Sequence, residues 1–297
     1  MAPILKDLSA GDSTTAPFTP EQEGIDIADL MRGRASLYGL LSRAFRAEVD
    51  EDFFDELRAM HYPQNSPDPD VNDAFRRLYT FVRHAREDTL DVLSTDYART
   101  FLGSGVLNPY AAFPYESVYT SEHGLVMQEA RDEVIAAYRR QGVACQREWH
   151  DPEDHLALEL DFMRVLANRC ADALATADGA ASNDDADAAC KLVGTQYAFL
   201  INHLQKWVPR FATDVPKYAS ADFYPAFAEL TRATLADDQL LLEDIAEASG
   251  IDLSRAVDQA ARADREVDRA MKEAGDRDHA APTYVVTDDE RLLTDPA

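Results

Sequence analysis

Apolar residues recur along most of the chain at steps of three, four and seven, the spacing that places side chains on one face of an α-helix. Starting near Ile25, seven such sets follow in order: Leu30, Leu37, Leu41 and Phe45; Phe53, Leu57 and Met60; Val71, Phe75, Leu78 and Val82; Leu90, Leu93, Tyr97 and Phe101; Met127, Ala130, Val134 and Tyr138; Leu156, Leu160, Met163 and Ala167; Cys190, Val193, Tyr197, Leu200 and Leu204. No stretch of strand length alternates convincingly between apolar and polar residues. The pattern therefore predicts an all-α protein, a single globular bundle of about ten helices.

Turn-forming residues mark several ends of these sets. Gly142 and Gly250 each follow a periodic run and predict helix C-caps, while Asp154 precedes another run and predicts an N-cap. Proline is tolerated in the first turn of a helix, so Pro152 fits the same helix start.

The chain divides into three parts by its periodicity. Residues 1–24 carry glycine, threonine and proline among acids and predict a flexible leader, whereas residues 25–250 hold the helical domain. Residues 251–297 predict a charged C-terminal helix followed by an acidic tail. Inside the domain, residues 178–187 are rich in aspartate and are the best candidate for a hinge, although an undivided domain is the favoured interpretation.

The charge of the chain limits its partners. Its 29 lysine and arginine residues face 55 aspartate and glutamate residues, which gives a formal net charge of −26. Nucleic acids and anionic membrane surfaces are bound mainly through basic residues, so both are excluded as main partners. Only five of the basic residues are lysine. A carboxylate-rich, lysine-poor surface is typical of a halophilic protein, and an ordinary acidic cytosolic protein is the alternative.

Cysteine spacing and the absence of targeting signals predict a cytoplasmic protein. Cys145, Cys170 and Cys190 are odd in number and form no C-x-x-C pair, which argues against a disulfide framework and a zinc site. The sequence shows no signal peptide and no apolar run of about 20 residues. Glycine-rich phosphate and dinucleotide motifs are also absent, so we predict no cofactor and no enzymatic activity.

One long segment between two helices is rich in aromatic residues. Residues 102–119 include Tyr110, Phe113, Tyr115 and Tyr119, and loops of this length are usually functional or disordered. So much apolar surface is expected to pack against the bundle, where the rings would line one wall of a groove. The alternative is a segment that only seals one end of the core.

A second segment concentrates acids and two histidines at a helix start. Residues 149–161 read Trp-His-Asp-Pro-Glu-Asp-His-Leu-Ala-Leu-Glu-Leu-Asp. Helix capping explains most of this pattern, because acids favour the positive end of the helix dipole. Recognition of a peptide or partner is a second interpretation. A third is a metal-dependent hydrolase that uses His150, His155 and Glu159, since the last two lie four residues apart on one helical face.

The order of the motifs resembles the TorD/DmsD/NarJ-type chaperones, which are all-α cytoplasmic redox-enzyme maturation proteins. The family signature E-P-x-D-H-(L/I) matches residues 151–156, with Asp151 in place of the leading glutamate. The family element H-L-x-x-W-x-x-x-F is present in full within residues 203–211. The remaining elements of the resemblance are Tyr97, Phe101 and Gly103, then Pro114-Tyr-Glu-Ser117, and finally Phe223-Tyr224.

This resemblance implies a dedicated chaperone for a molybdopterin oxidoreductase of the dimethyl-sulfoxide, trimethylamine-N-oxide or nitrate reductase class. Such a chaperone binds the twin-arginine signal peptide and holds the apoenzyme until its cofactor is inserted, before export. It would act as a monomer or a homodimer. By similarity, the peptide site includes Asp151, Pro152, Asp154 and His155, with Tyr115, Glu116 and Ser117 as neighbours.

The residues themselves suit this role. A twin-arginine leader presents two guanidinium groups and then an apolar segment, so its receptor needs carboxylates beside apolar surface. Asp151, Glu153 and Asp154 would supply the carboxylates. The apolar surface would come from four aromatic residues, namely Tyr97, Phe101, Tyr115 and Trp149. High salt screens exposed charge pairs, so the apolar segment is expected to supply most of the affinity.

Overall fold

The fold is taken from a computed structural model that describes residues 26–63, 65–104, 110–146, 149–180, 183–273 and 293–294. The predicted leader, residues 1–24, lies outside these residues. So does most of the predicted acidic tail.

Helices account for nearly all of the regular structure in the described residues. They are α1 (Ile27–Arg46), α2 (Glu51–Ala59), α3 (Pro69–Arg83), α4 (Thr89–Phe101), α5 (Glu116–Thr120), α6 (Glu129–Arg140), α7 (Leu156–Ala180), α8 (Asn183–Phe199), α9 (Gln205–Tyr218), α10 (Phe223–Ser249) and α11 (Leu253–Glu273). A π-helical turn, Leu200–Leu204, separates α8 from α9. The prediction of an all-α bundle is confirmed.

Short-range hydrogen bonds define many helix ends. Asp26, Asp50 and Asp68 each accept a hydrogen bond from a backbone N–H of the first turn of α1, α2 and α3, at 2.8, 2.8 and 2.6 Å. Gly250 ends α10 in the left-handed conformation (φ 69°), and Gly142 adopts it just after α6 (φ 63°). Both glycine caps predicted from the sequence are therefore confirmed.

The apolar helix faces meet in one core. Helix α1 packs along α7, α7 pairs with α8, and α10 contacts both α3 and α9. The largest side chains that are essentially inaccessible to solvent are Trp207, Tyr38, Tyr138, Tyr224, Phe45, Phe53, Phe54, Phe101, Phe162, Phe211, Phe223 and Phe227. This predominance of aromatic rings is consistent with their large buried area per residue.

Helices α8 and α9 and the π-helical turn form one continuous rod. The backbone keeps right-handed helical angles at Phe199 and Leu204, on both sides of the turn. A π-helical turn adds a residue to the helical repeat and rotates the side chains that follow it. In this chain it carries His203 and ends three residues before Trp207, and both residues belong to the candidate site.

The structure contains one short pair of strands that the sequence pattern did not predict, and it does not test the predicted hinge. Strands β1 (Ala144–Cys145) and β2 (Leu293–Thr294) pair antiparallel, and two residues are too few to show a strand period. Helix α7 continues to Ala180 and α8 begins at Asn183, while residues 181–182 lie outside the described part. The hinge at 178–187 stays a prediction.

A buried ion pair links three helices. Asp238 of α10 accepts hydrogen bonds from Nε (2.5 Å) and Nη2 (2.7 Å) of Arg34 and from the Tyr38 hydroxyl (2.6 Å), both of α1. Gln196 of α8 accepts a further bond from Arg34 Nη1 (2.6 Å). Burial disfavours the charged guanidinium, but the Asp238 carboxylate outweighs burial and raises the pKa of Arg34.

Among the residues that the structure describes, no helix has the length and hydropathy needed to span a bilayer. Cys145, Cys170 and Cys190 are free thiols, of which Cys170 is buried.

Candidate peptide-binding site

The signature segment, residues 151–156, is hydrogen-bonded to residues 114–117 of the aromatic segment, and we call this pairing the clamp. The Glu116 N–H donates to the Asp154 carbonyl (3.0 Å), and the Leu156 N–H donates to the Pro114 carbonyl (2.9 Å). The Asp154 side chain is fully buried, and one of its oxygens accepts both the backbone N–H (2.8 Å) and the hydroxyl (2.5 Å) of Ser117. Asp154 therefore fixes the start of helix α5 and is not presented to a ligand.

His155 caps helix α7. Its Nδ1 accepts the N–H of Ala157 (3.0 Å), and its carbonyl accepts the N–H of Glu159 (3.1 Å). The N-cap is thus His155, and the prediction that Asp154 caps this helix is wrong. Because Nδ1 is an acceptor, the neutral ring carries its proton on Nε2. Burial lowers the pKa of His155 to about 3, so the ring is neutral at neutral pH.

Behind this clamp lies a buried polar cluster of Glu116, Asp154, Glu159, His203 and Trp207, all of which are inaccessible to solvent or nearly so. His203 Nδ1 lies 2.9 Å from Oε2 of Glu116. Trp207 donates from Nε1 to Oε2 of Glu159 (3.1 Å). The cluster therefore ties α5 and α7 to the π-helical turn and α9, and it gives the H-L-x-x-W element a structural role.

Carboxyl groups in this cluster hold their protons unusually well. Burial raises the pKa of Glu159 well above its usual value, and the nearby Glu116 carboxylate raises it further. Burial also raises the pKa of Asp154, although the hydrogen bonds from Ser117 oppose that shift. Glu159 and Asp154 consequently retain their protons at pH values where exposed carboxylates have lost theirs.

Glu159→Gln is expected to change how stability depends on pH. Glutamine keeps an acceptor for the Trp207 N–H but cannot ionise. The parent carboxyl favours the folded state below its unfolded-state pKa of about 4.5, and this contribution is lost as pH rises toward the raised folded-state pKa. The variant should therefore gain on the parent by about 1.4 kcal/mol for each pH unit in that interval.

Urea unfolding at pH 5 and pH 8 in molar KCl measures this difference. The matched control is Glu247→Gln, because Glu247 is exposed on α10. Equal pH dependence in the parent and Glu159→Gln would show that Glu159 ionises normally in the fold.

Four residues of the predicted site converge at the surface above His155, and we call Tyr115, Trp149, Asp151 and Pro152 the rim. The Tyr115 and Trp149 rings meet the His155 ring edge to face, with centroids 5.1 and 5.2 Å away. The Tyr115 hydroxyl donates to Asp151 Oδ1 (3.1 Å). Asp151 is exposed, while the other three are half-buried. The Trp149 indole N–H is buried and finds no hydrogen-bond partner among the described residues.

The remaining predicted residues lie behind the surface or are already paired. Glu116, Ser117, Asp154 and His155 are buried in the clamp and the polar cluster. Tyr97 and Phe101 are also buried in the core, so they do not form a wall of a groove. Glu153 forms an ion pair with Arg131 (2.5 Å). Asp151 is thus the one exposed carboxylate of the three that were expected to meet the guanidinium groups.

The hydrolase hypothesis finds no support in this geometry. His155 uses Nδ1 for the helix cap, Glu159 accepts from Trp207, and His150 is exposed. Within the described part of the chain, no three His, Cys, Asp or Glu side chains come together in a way that could hold a metal ion.

One surface beside this site was not predicted from the sequence, namely the tripeptide Leu125-Val126-Met127. Met127 was assigned to the apolar face of α6, but that helix begins at Glu129 and the Met127 side chain is 55% exposed. Its backbone is left-handed (φ 59°), which is uncommon for a residue other than glycine. A run of three apolar residues directly after Gly124 was the available signal.

Comparison with known proteins identifies the family. A family model described as nitrate reductase delta subunit matches residues 64–213, which is half of the chain. The chain belongs to this family. Relatives include the chaperone protein TorD of Vibrio cholerae serotype O1 strain El Tor Inaba N16961, which is 29% identical over 224 residues that cover 71% of this chain and 93% of the relative. The chaperone protein TorD of Aliivibrio fischeri is 26% identical over 203 residues, which cover 66% and 88%.

Membership in this family confirms the resemblance to TorD/DmsD/NarJ-type maturation chaperones. The chain is a chaperone of molybdoenzyme maturation, and family members work with molybdoenzyme catalytic subunits. At the level of the family it is not an enzyme. The family match spans the clamp, the rim, the π-helical turn and Trp207.

Proposed function

We propose that this chaperone binds the twin-arginine signal peptide of a molybdopterin oxidoreductase. It holds the apoenzyme in the cytoplasm for cofactor insertion and so delays export. The client is of the dimethyl-sulfoxide, trimethylamine-N-oxide or nitrate reductase class. The observation that carries the proposal is the rim, where the exposed Asp151 carboxylate accepts a hydrogen bond from Tyr115, one of two half-buried aromatic rings that both pack on His155.

The chemistry of the rim suits a cationic, partly apolar peptide. Asp151 offers a carboxylate to a guanidinium group, and the faces of Tyr115 and Trp149 offer cation–π and apolar contacts. Together these groups provide one charge contact and two aromatic rings.

The rim is held in position from behind. His155 contacts both rings, and its own orientation is fixed by the cap on Ala157. A preorganised site binds a flexible peptide more tightly, because fewer of its own side chains lose freedom on binding. The buried signature residues thus act as positioning groups, while the rim makes the contacts.

Asp151→Asn is the direct test of the rim. The variant keeps an acceptor for the Tyr115 hydroxyl but loses the charge, so we expect about three- to tenfold weaker binding of a twin-arginine leader, which matches an exposed charge pair. Isothermal titration calorimetry in molar KCl measures the affinity. The parent should bind a leader with both arginines replaced by lysine more weakly than the twin-arginine leader. In the variant this difference in affinity should disappear.

Asp258→Asn is the matched control, because Asp258 is exposed on α11, outside the rim. A parent chain that binds no twin-arginine leader would refute the proposed function. Leader binding with equal affinity by the parent and Asp151→Asn would instead show that Asp151 lies outside the site. Variants of the buried Asp154 and His155 would report on the scaffold, so they are poorer tests.

A further inference from the structure

Three consecutive large apolar side chains lie exposed near the rim, and we call Leu125, Val126 and Met127 the apolar loop. Their exposed fractions are 54%, 42% and 55%. Single exposed apolar residues are normal on a protein surface, but contiguous ones mark interaction sites. The loop is also unusual in a chain whose formal net charge is −26, because most of its surface is expected to be carboxylate.

Hydrogen bonds place this loop alongside α5 and return it to the clamp. The Leu125 N–H donates to the Ser121 hydroxyl (3.2 Å), just after the C-terminal end of α5. The Gln128 N–H donates to the Ser117 hydroxyl (3.1 Å), near the N-terminal end of α5. That same hydroxyl donates to Asp154. The loop therefore ends beside the segment that carries the rim.

Charge flanks the apolar loop on both sides. Glu122 precedes it and Glu129 follows it, and both side chains are exposed. Asp151 of the rim is also exposed, and it lies three residues before Asp154, which shares the Ser117 hydroxyl with the end of the loop. Apolar surface bordered by carboxylates complements a peptide in which an apolar segment adjoins arginines.

The backbone of Met127 supports a role for its side chain. Glycine or asparagine occupies the left-handed region more readily than methionine does. The chain nevertheless holds a large apolar residue there, more than half exposed. Methionine is flexible and polarisable, which suits contact with apolar segments of varied sequence.

We propose that the apolar loop is the docking surface for the apolar segment of the twin-arginine leader; this inference rests on the proposed function. The arginines bind at Asp151, and the apolar segment that follows them contacts the loop, which runs alongside α5 and ends where the Gln128 N–H donates to the Ser117 hydroxyl. Salt screens the contact at Asp151 but not the contact with the loop.

The test compares two peptides and two forms of the full chain by calorimetry in molar KCl. One peptide is a complete twin-arginine leader, and in the other the apolar segment is replaced by serine and glycine at equal length. The variant combines Leu125→Ser, Val126→Ser and Met127→Ser. We expect it to bind the complete leader at least about tenfold more weakly than the parent does, and to bind the polar peptide as the parent does.

Two controls separate binding from folding. Leu240→Ser removes a side chain of similar exposure (58%) on α10 and should leave the affinity unchanged. Met127→Asn relieves the left-handed backbone, so it should leave the melting temperature unchanged or raise it while weakening leader binding about threefold.

The outcomes are distinguishable. A parent chain that binds neither peptide overturns the proposed function, and this inference falls with it. If the parent binds the complete leader and the triple variant binds it equally well, only the inference is overturned. If light scattering shows that the triple substitution converts a dimer to a monomer with leader affinity unchanged, the loop is an interface between two copies, which also overturns the inference.

Discussion

Asp238→Asn is expected to lower the free energy of unfolding by about 3–5 kcal/mol, because it leaves the Arg34 guanidinium charged and uncompensated in the interior. The two side chains are only 6% and 4% exposed in the parent. Asp238 accepts three hydrogen bonds from Arg34 and Tyr38, all within 2.7 Å. An amide would direct its own N–H groups at one of these donors. Urea unfolding in molar KCl followed by circular dichroism gives the loss.

An exposed ion pair is the comparison that isolates burial. Asp55 and Arg58 are 60% and 52% exposed, and Asp55→Asn should lower the free energy of unfolding by less than about 1 kcal/mol. Removing both interior charges together, as Arg34→Met with Asp238→Leu, should recover part of the loss. A loss below about 1 kcal/mol in Asp238→Asn would show that water or another group compensates Arg34.

Trp207→Ala is expected to destabilise the chain by about 3–5 kcal/mol, the usual range for a fully buried tryptophan. Its ring packs on Tyr119 of α5 and Phe211 of α9, with centroids 5.5 and 5.6 Å away. The substitution also leaves the Glu159 carboxyl without its donor. Because α5 rests on this ring, leader binding should weaken even at temperatures where the variant stays folded.

The second tryptophan of the chain provides the contrast. Trp149 is half-buried in the rim, so Trp149→Ala should cost about 1 kcal/mol of stability and should weaken leader binding more than the Asp258→Asn control does. Thermal melts and calorimetry on both alanine variants give the two readouts. The same loss of stability in both variants would contradict the division between rim and interior.

Helical periodicity was sufficient to predict the fold class. The set Leu37, Leu41 and Phe45 lies on one side of α1, and Leu41 and Phe45 are buried as its spacing requires. Glycine caps were equally readable, since few other residues adopt the left-handed conformation at Gly250. Such signals are local, and they lie within one or two helical turns of the residue they describe.

Whether a polar residue is exposed or buried could not be predicted in the same way. Asp151 and Asp154 lie three residues apart in one acidic segment, yet one is exposed and the other fully buried. The partner that draws Asp154 inward is Ser117, which is 37 residues away in sequence. Arg34 and Asp238 are 204 residues apart, and nothing local marks either as a buried charge. The prediction that Met127 lies on the apolar face of α6 was wrong although the local spacing supported it, because the helix begins two residues later.

The buried position of Asp154 affects how recognition depends on salt concentration. A charge at the surface loses its reach as salt rises, whereas hydrogen bonds in the interior are shielded from mobile ions. The Asp154–Ser117 contact therefore keeps its geometry as the salt concentration changes. Under the proposed function, exchanging the side chains of Tyr115, Trp149 and Asp151 is expected to change which peptide is bound, without altering the buried residues that hold them in position.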